Sequence, residues 1–155
     1  MKRLILLCLV FLTQPALADF IGQVVTVTDG DTIKIMRDGV PVKVRLKAID
    51  APESCQSYGA EASAHLYSLV LAQDVTVVER GRDKYGRTLG YVFANGVDVN
   101  AAMIADGYAW LYLSKSPRLK ALEADAREAH SGLWAEPSPE NPSDFRKRKK
   151  CRRTK

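Results

Sequence analysis

Histidine is nearly missing from this 155-residue chain: His65 and His130 are the two present, and neither has a second reactive side chain beside it in sequence. Catalysis through paired histidines is therefore disfavoured, and both residues read as structural. Long apolar runs are scarce too. Residues 4–12 form the longest, too short to cross a bilayer as a helix, and nothing later approaches eighteen apolar residues in a row. No repeat of about 20 to 50 residues is visible, which excludes solenoids and propellers. Cysteine is sparse, at Cys8, Cys55 and Cys151.

The short apolar run belongs to an address. Lys2 and Arg3 precede it, and Pro15 and Ala16-Leu17-Ala18 follow, the pattern of a signal peptide cut before Asp19. Leu7 stands where lipidation of Cys8 would need a small residue, so a lipid anchor is disfavoured. The expectation is an exported protein, periplasmic or released to the medium, with no stable membrane insertion. Cleavage leaves Cys55 and Cys151, an even pair that in an oxidising compartment points to a disulfide, with free or intermolecular thiols as the alternative.

The formal net charge of +5 hides an asymmetry. Eight cations lie between Arg146 and Lys155, whereas residues 19–145 hold 13 basic and 18 acidic groups. A net-negative body that handles a polyanion must place its few cations carefully, and carboxylates gathered beside them point to a bound metal. The basic end is expected to recruit the polyanion electrostatically.

Residues 20–28, 31–37 and 41–48 are short, β-branched and alternating, divided by Asp29-Gly30 and Asp38-Gly39. They predict a three-strand meander. From residue 58 to 71 the period changes, with Ala62, Leu66, Leu69 and Val70 on one helical face. Strands are expected over 74–80 and 87–94. Helices are expected over 99–106, closed by Gly107, and over 116–131, with Pro117 in the first turn and Gly132 past the end. Three strands, a helix, two strands and further helices make a mainly β, α+β chain that suits a five-stranded OB-fold barrel with about three helices. The expected division is a signal peptide at 1–18, one domain at 19–136, and at 137–155 an extended arm with prolines at 137, 139 and 142.

In such a meander the start of the second strand lies beside the end of the third, so Asp31 and Asp50 can meet. Two carboxylates brought together favour a divalent cation that cancels their repulsion. Arg45 shares a strand face with Lys43 and Lys47, and Asp83-Lys84-Tyr85-Gly86-Arg87 leads an arginine into a later strand. Hydrolysis of a phosphodiester needs positive charge on the phosphate oxygens, a positioned water and planar two-pronged donors. Asp31, Asp50, Glu53, Arg45 and Arg87 are residues of those types, although singly each also suits a turn or a solvated face.

Taken in order, D-G-D-T (29–32), V-R-L (44–46), I-D-A-P-E (49–53), Y-G-x-E-A (58–62) and D-K-Y-G-R-x-L-x-Y (83–91) resemble the staphylococcal nuclease family across about residues 22–134. The resemblance implies an OB-fold barrel and a calcium-dependent endonuclease that cuts DNA and RNA and leaves 3′-phosphate ends, with Ca2+ as cofactor; a monomer is expected. It implies Asp31, Asp50 and the main-chain carbonyl of Ala51 as calcium ligands. Glu53 would act on the attacking water, Arg45 and Arg87 on the charged phosphate, and Asp29 behind the metal ligands. Lys84 and Tyr85 would line the nucleotide pocket, and Tyr108, Trp110 and Tyr112 are candidates to stack on a base, with packing as their alternative role. Threonine is common in the family where this chain has Ala51, a change a main-chain ligand survives. Between Glu53 and Tyr58 only Ser-Cys-Gln-Ser is present, where the type member has a longer, lysine-rich loop. The rival readings, a non-catalytic OB-fold binding module and a surface module docking on anionic lipid or polysaccharide, leave the acids and arginines idle.

Overall fold

The computed structural model describes residues 19–148 and Cys151; the signal-peptide reading lies outside the described residues. Strand β1 (Phe20–Asp29) pairs antiparallel with β2 (Thr32–Arg37), and β2 with β3 (Val40–Leu46). A two-residue strand β4 (Ile49–Asp50) follows, then helix α1 (Gly59–Val70). Next come β5 (Asp74–Arg82), β6 (Thr88–Ala94) and β7 (Val97–Asp98), then α2 (Val99–Ala105), β8 (Trp110–Leu111) and α3 (Pro117–Glu128). A 3-10 turn at Gly132–Ala135 and helix α4 (Pro142–Arg148) complete the order. The sheet runs β3-β2-β1-β5-β6-β7, and a parallel pairing of β3 with β6 closes the first five into a barrel. Ile33 and Ile35 of β2, Val44 and Leu46 of β3, Val75 and Val77 of β5 and Val92 of β6 point inward at period two and are buried. Among the described residues no helix is long and apolar enough to cross a membrane.

Turn chemistry explains the meander. Asp38-Gly39 and Asn95-Gly96 both adopt positive φ, as two-residue hairpins with mirror-type turns require. Gly30 serves a different purpose. A Cβ there would come within 2.7 Å of the Ala51 Cβ and 2.8 Å of the Ala62 Cβ, so its lack of a side chain lets the first hairpin press against α1 and the loop after β4.

Three differences from the sequence expectation have a cause visible in the backbone or the core. The third strand stops at Leu46 because Ala48 takes φ 68°, which breaks the extended run and re-aims the chain into β4. The last long helix stops at Glu128, where His130 and Gly132 adopt φ 50° and 53°. The third difference is larger: the extended arm is corrected in part, since Pro142–Arg148 is helical. Phe145 supplies the reason. It is buried, and a buried aromatic offsets the ordering of a segment whose other side chains are mostly polar.

Asn100 locks helix α2 to the barrel seam. Fully buried, its Oδ1 accepts from Val92 N at 2.9 Å, while Nδ2 donates to Lys47 O at 2.7 Å and to Gly90 O at 3.2 Å. Asn100→Leu should destabilise the fold by about 2 to 4 kcal/mol, because it strands buried backbone groups beside β3. Urea unfolding of the two proteins measures the difference, and a variant as stable as its parent would refute this role.

Candidate active site

The strand ladder assembles the site. Thr32 lies opposite Arg45 across β2 and β3, and Leu46 N donates to Asp31 O at 2.8 Å, so Asp31 lies at the end of β3. The parallel β3–β6 pair sets Val44 against Thr88, so Arg87, the residue before β6, emerges alongside β3 and lines the same cavity. The Ala48 turn then carries Asp50 back over that end.

Asp31 and Asp50 converge there, and both are buried. Asp31 Oδ1 accepts from Thr32 Oγ1 at 2.9 Å, and its Oδ2 accepts from Ala51 N at 3.0 Å. Arg45 Nη2 lies 2.9 Å from Asp31 Oδ2 and 3.0 Å from Asp50 Oδ1, so one guanidinium nitrogen spans both carboxylates. Its Nη1 donates to the carbonyls of Leu46 (2.7 Å) and Ile49 (2.8 Å), which fixes the fork. Asp29 is one step behind, its Oδ1 accepting from Asp31 N at 3.2 Å. Burial pushes the Asp31 carboxyl up to about 7; Arg45 opposes the shift, and the charges of Asp29 and Asp50 add to it.

Glu53 is set by a short turn: its NH donates to Gln56 Oε1 at 3.1 Å, and its carbonyl accepts from Gln56 N at 2.8 Å. Gly59 packs directly over that carbonyl, where a Cβ would fall 2.0 Å from the oxygen. Across the cavity, the 83–87 loop folds around one carboxylate. Asp83 Oδ1 accepts from the NH groups of Tyr85 and Arg87, each at 2.9 Å, and Oδ2 accepts from Arg87 Nε at 2.6 Å. Desolvation pushes the Asp83 carboxyl up, but these hydrogen bonds from Arg87 and Tyr85 outweigh it and hold the group below its ordinary range. With Nε engaged by Asp83, the Nη edge of Arg87 is left for a ligand. Tyr85 stands exposed above it, with Lys84 Nζ 5.1 Å and the Arg87 guanidinium 5.7 Å from its ring centre.

Asp29, Asp31, Arg45, Asp50, Ala51, Glu53, Lys84, Tyr85, Arg87 and Tyr112 all line one cavity of about 640 Å³. Two of the aromatic candidates belong elsewhere, and the stacking expectation is corrected for them. Tyr108 stacks on His65 with ring centres 4.2 Å apart, and Trp110 meets Trp134 edge-on at 4.4 Å under Arg127. No strand period aligns the three rings, because β8 covers only Trp110 and Leu111 and the chain bends on either side of it, with Gly107 and Leu113 at positive φ. His65 gains a partner that sequence distance concealed, Asp106 Oδ2 at 2.8 Å, but neither residue lines the cavity.

One cavity residue was not singled out. Arg146 of α4 sends Nη1 to Asp50 Oδ1 (3.1 Å) and Glu53 Oε1 (2.8 Å), and Nη2 to Asp50 Oδ2 (2.8 Å). Hydrogen bonds that it donates to Asp50 and Glu53 hold it charged against partial burial. The signals for it are Phe145, an aromatic at the edge of a cationic run, and Cys151. Cys151 is bonded to Cys55, with Cα atoms 5.6 Å apart, so the disulfide expectation is met and the end of the chain is tied beside Glu53.

The donor set fits a hard divalent cation. Two buried carboxylates face one point, already share a cationic nitrogen, and adjoin the main chain of Ala51. Among the described residues no group of three or more acidic, histidine or cysteine side chains is arranged so that those side chains alone could hold a metal ion. An ion here would therefore complete its shell with main-chain oxygen and water, as calcium does readily.

A barrel with paired acids and arginines at one end of its β3–β6 seam defines a phosphodiester-cleaving class of OB-fold protein. The sequence pattern described as "Staphylococcal nuclease homologue" matches residues 43–136. The chain is 42% identical to a protein named "Uncharacterized endonuclease" from Escherichia coli O157:H7, over 96% of this chain and all of that one. It is 38% identical to the "Micrococcal nuclease" of Shigella flexneri, over 88% of this chain and 86% of that protein. A staphylococcal-like nuclease of Arabidopsis thaliana is 38% identical over 70% of this chain but 34% of its own length. This chain belongs to the staphylococcal nuclease family and is a hydrolase of the nuclease class.

Proposed function

We propose that this nuclease is a calcium-dependent endonuclease that cuts DNA and RNA with little sequence specificity and leaves 3′-phosphate ends. The observation that carries this reading is the convergence of Asp31 and Asp50 on one point of a cavity also lined by Arg45, Glu53 and Arg87. A calcium ion held by Asp31, Asp50 and the Ala51 carbonyl would supply positive charge beside the scissile phosphate. Glu53 accepts a proton from the attacking water as its oxygen bonds to phosphorus. The bond to the 5′-oxygen breaks, and that oxygen takes up a proton as it leaves. Arg45 and Arg87 hold the phosphate oxygens as charge builds, with Arg87 on the leaving-group side. Tyr85 and Tyr112 offer ring faces that any base can stack on, which accounts for low sequence preference, and Lys84 attracts the backbone. The chain acts as a monomer, and residues 1–18 direct its export to the oxidising compartment that the Cys55–Cys151 bond calls for.

Purified protein incubated with plasmid DNA and with single-stranded RNA, in calcium, in magnesium and in EDTA, tests this reading. Calcium should activate best, EDTA should stop cleavage, and the products should carry 3′-phosphates. Equal cleavage in EDTA, or 3′-hydroxyl products, would overturn it. N-terminal sequencing of exported protein should begin at Asp19.

A further inference from the structure

Arg146 reaches the catalytic carboxylates from the far end of the chain, and its seat is built. Phe145 beside it is buried, and Gln56 Nε2 donates to Glu140 O at 2.6 Å. Ser57 donates to the Glu136 carboxylate, and Arg148 pairs with Glu140 at 2.7 Å. The Cys55–Cys151 bond then ties the chain beyond α4 to the residue two places after Glu53. Both sides of the Arg146 contact are thus anchored.

We propose that Arg146 is a third arginine of the substrate site, binding a phosphate of the nucleic acid backbone, and that the Cys55–Cys151 disulfide holds it there. This rests on the nuclease reading and adds a residue to it. The guanidinium lines the cavity, and its side chain keeps 41% of its surface exposed, with 33% for its partner Glu53. It can therefore turn its two-pronged donor set to a phosphate without α4 leaving the domain. In the rival role, a plug over the acids, the same turn would only uncover Asp50 and Glu53, so the two roles differ in whether removing Arg146 weakens or strengthens ligand binding. Charge favours phosphate binding. Asp29, Asp31, Asp50, Glu53 and Asp83 line the cavity, and a polyanion entering among five acids needs each cation that opposes them. Reduction of the disulfide would loosen Arg146 and weaken the grip on substrate, so the site is completed only where thiols oxidise.

The test measures binding of a fluorescent phosphorothioate hexathymidylate by anisotropy, in EDTA and in calcium, alongside calcium binding by calorimetry and the melting temperature of each protein. Arg146→Ala should bind the oligonucleotide about tenfold more weakly in EDTA as well as in calcium, and Arg146→Lys should fall between. The Cys55→Ser/Cys151→Ser protein should lose affinity to a similar extent, and adding Arg146→Ala to it should cost little more, because one contact is being removed twice. Parental oligonucleotide affinity in Arg146→Ala, or calcium binding tightened tenfold with faster cleavage, would overturn the proposal in favour of no role or of a plug. Full affinity in the disulfide-free protein would overturn the latch. If the parent fails to cleave in calcium, the nuclease mechanism is at fault instead, while the binding comparison still reads Arg146.

Discussion

Arg87→Ala should cleave single-stranded DNA about 10² to 10³-fold more slowly than the parent while melting at nearly the same temperature. A donor aimed at charge that develops in the transition state is worth about 2 to 4 kcal/mol, and its loss appears in kcat. Arg87 makes its side-chain hydrogen bond to Asp83 on a surface loop, so removing it leaves the barrel intact. Arg45→Ala makes the informative contrast. Its guanidinium is largely buried, spans Asp31 and Asp50, and ties down the carbonyls of Leu46 and Ile49. That variant should lose activity to a similar degree and also lose stability by about 3 kcal/mol or more, because it leaves two carboxylates buried with one neutralising partner fewer. Parallel rate and thermal-melting measurements separate the two arginines. An Arg87→Ala protein that cuts at the parental rate would remove Arg87 from the chemistry.

Asp31→Asn should abolish calcium activation and, in EDTA, make the protein more stable near pH 8. The sign follows from the raised pKa. Burial raises Asp31 from an ordinary 3.8 to about 7 in the fold, so its stability cost is absent below about pH 4, builds between pH 4 and 7 and is fully present above 7. Asparagine carries no such charge, and Arg45 keeps Asp50 as its partner. The gain should be of order 1 to 3 kcal/mol at pH 8, shrinking to nothing near pH 4. Melting temperature against pH in EDTA, for parent and variant, gives the two curves. Curves that stay parallel from pH 4 to 8 would mean that Asp31 is not the group whose charge burdens the ion-free fold. Saturating calcium should reverse the order, since only the parent keeps both carboxylates to bind it.

Much of this was legible because it is local. Alternation in residues 31–37 and 74–80 and the Asp38-Gly39 and Asn95-Gly96 turns set strands and hairpins, and the Ala62, Leu66 and Val70 spacing set α1. Asp31, Arg45 and Asp50 were legible too, since a meander forces the start of one strand beside the end of the next. The aromatics after Gly107 were not. Tyr108, Trp110 and Tyr112 have the same character in sequence, and only the positions of His65 and Trp134 decide which one faces the cavity. The basic end read as an extended arm for a similar reason. Composition averages over its cations, whereas one buried ring, Phe145, determines that three of them fold back onto acids.

The sequence by itself determined the barrel strands, the first three helices and the chemical types of the site, because hydrophobic periodicity and turn residues act over a few positions. Tertiary structure decided what depends on long-range closeness: that Ala48 bends the chain to carry Asp50 toward Asp31, that Cys55 meets Cys151, and that Arg146 reaches Asp50 and Glu53. Those contacts join residues up to 96 positions apart, a separation that no local pattern of periodicity or turn residues spans.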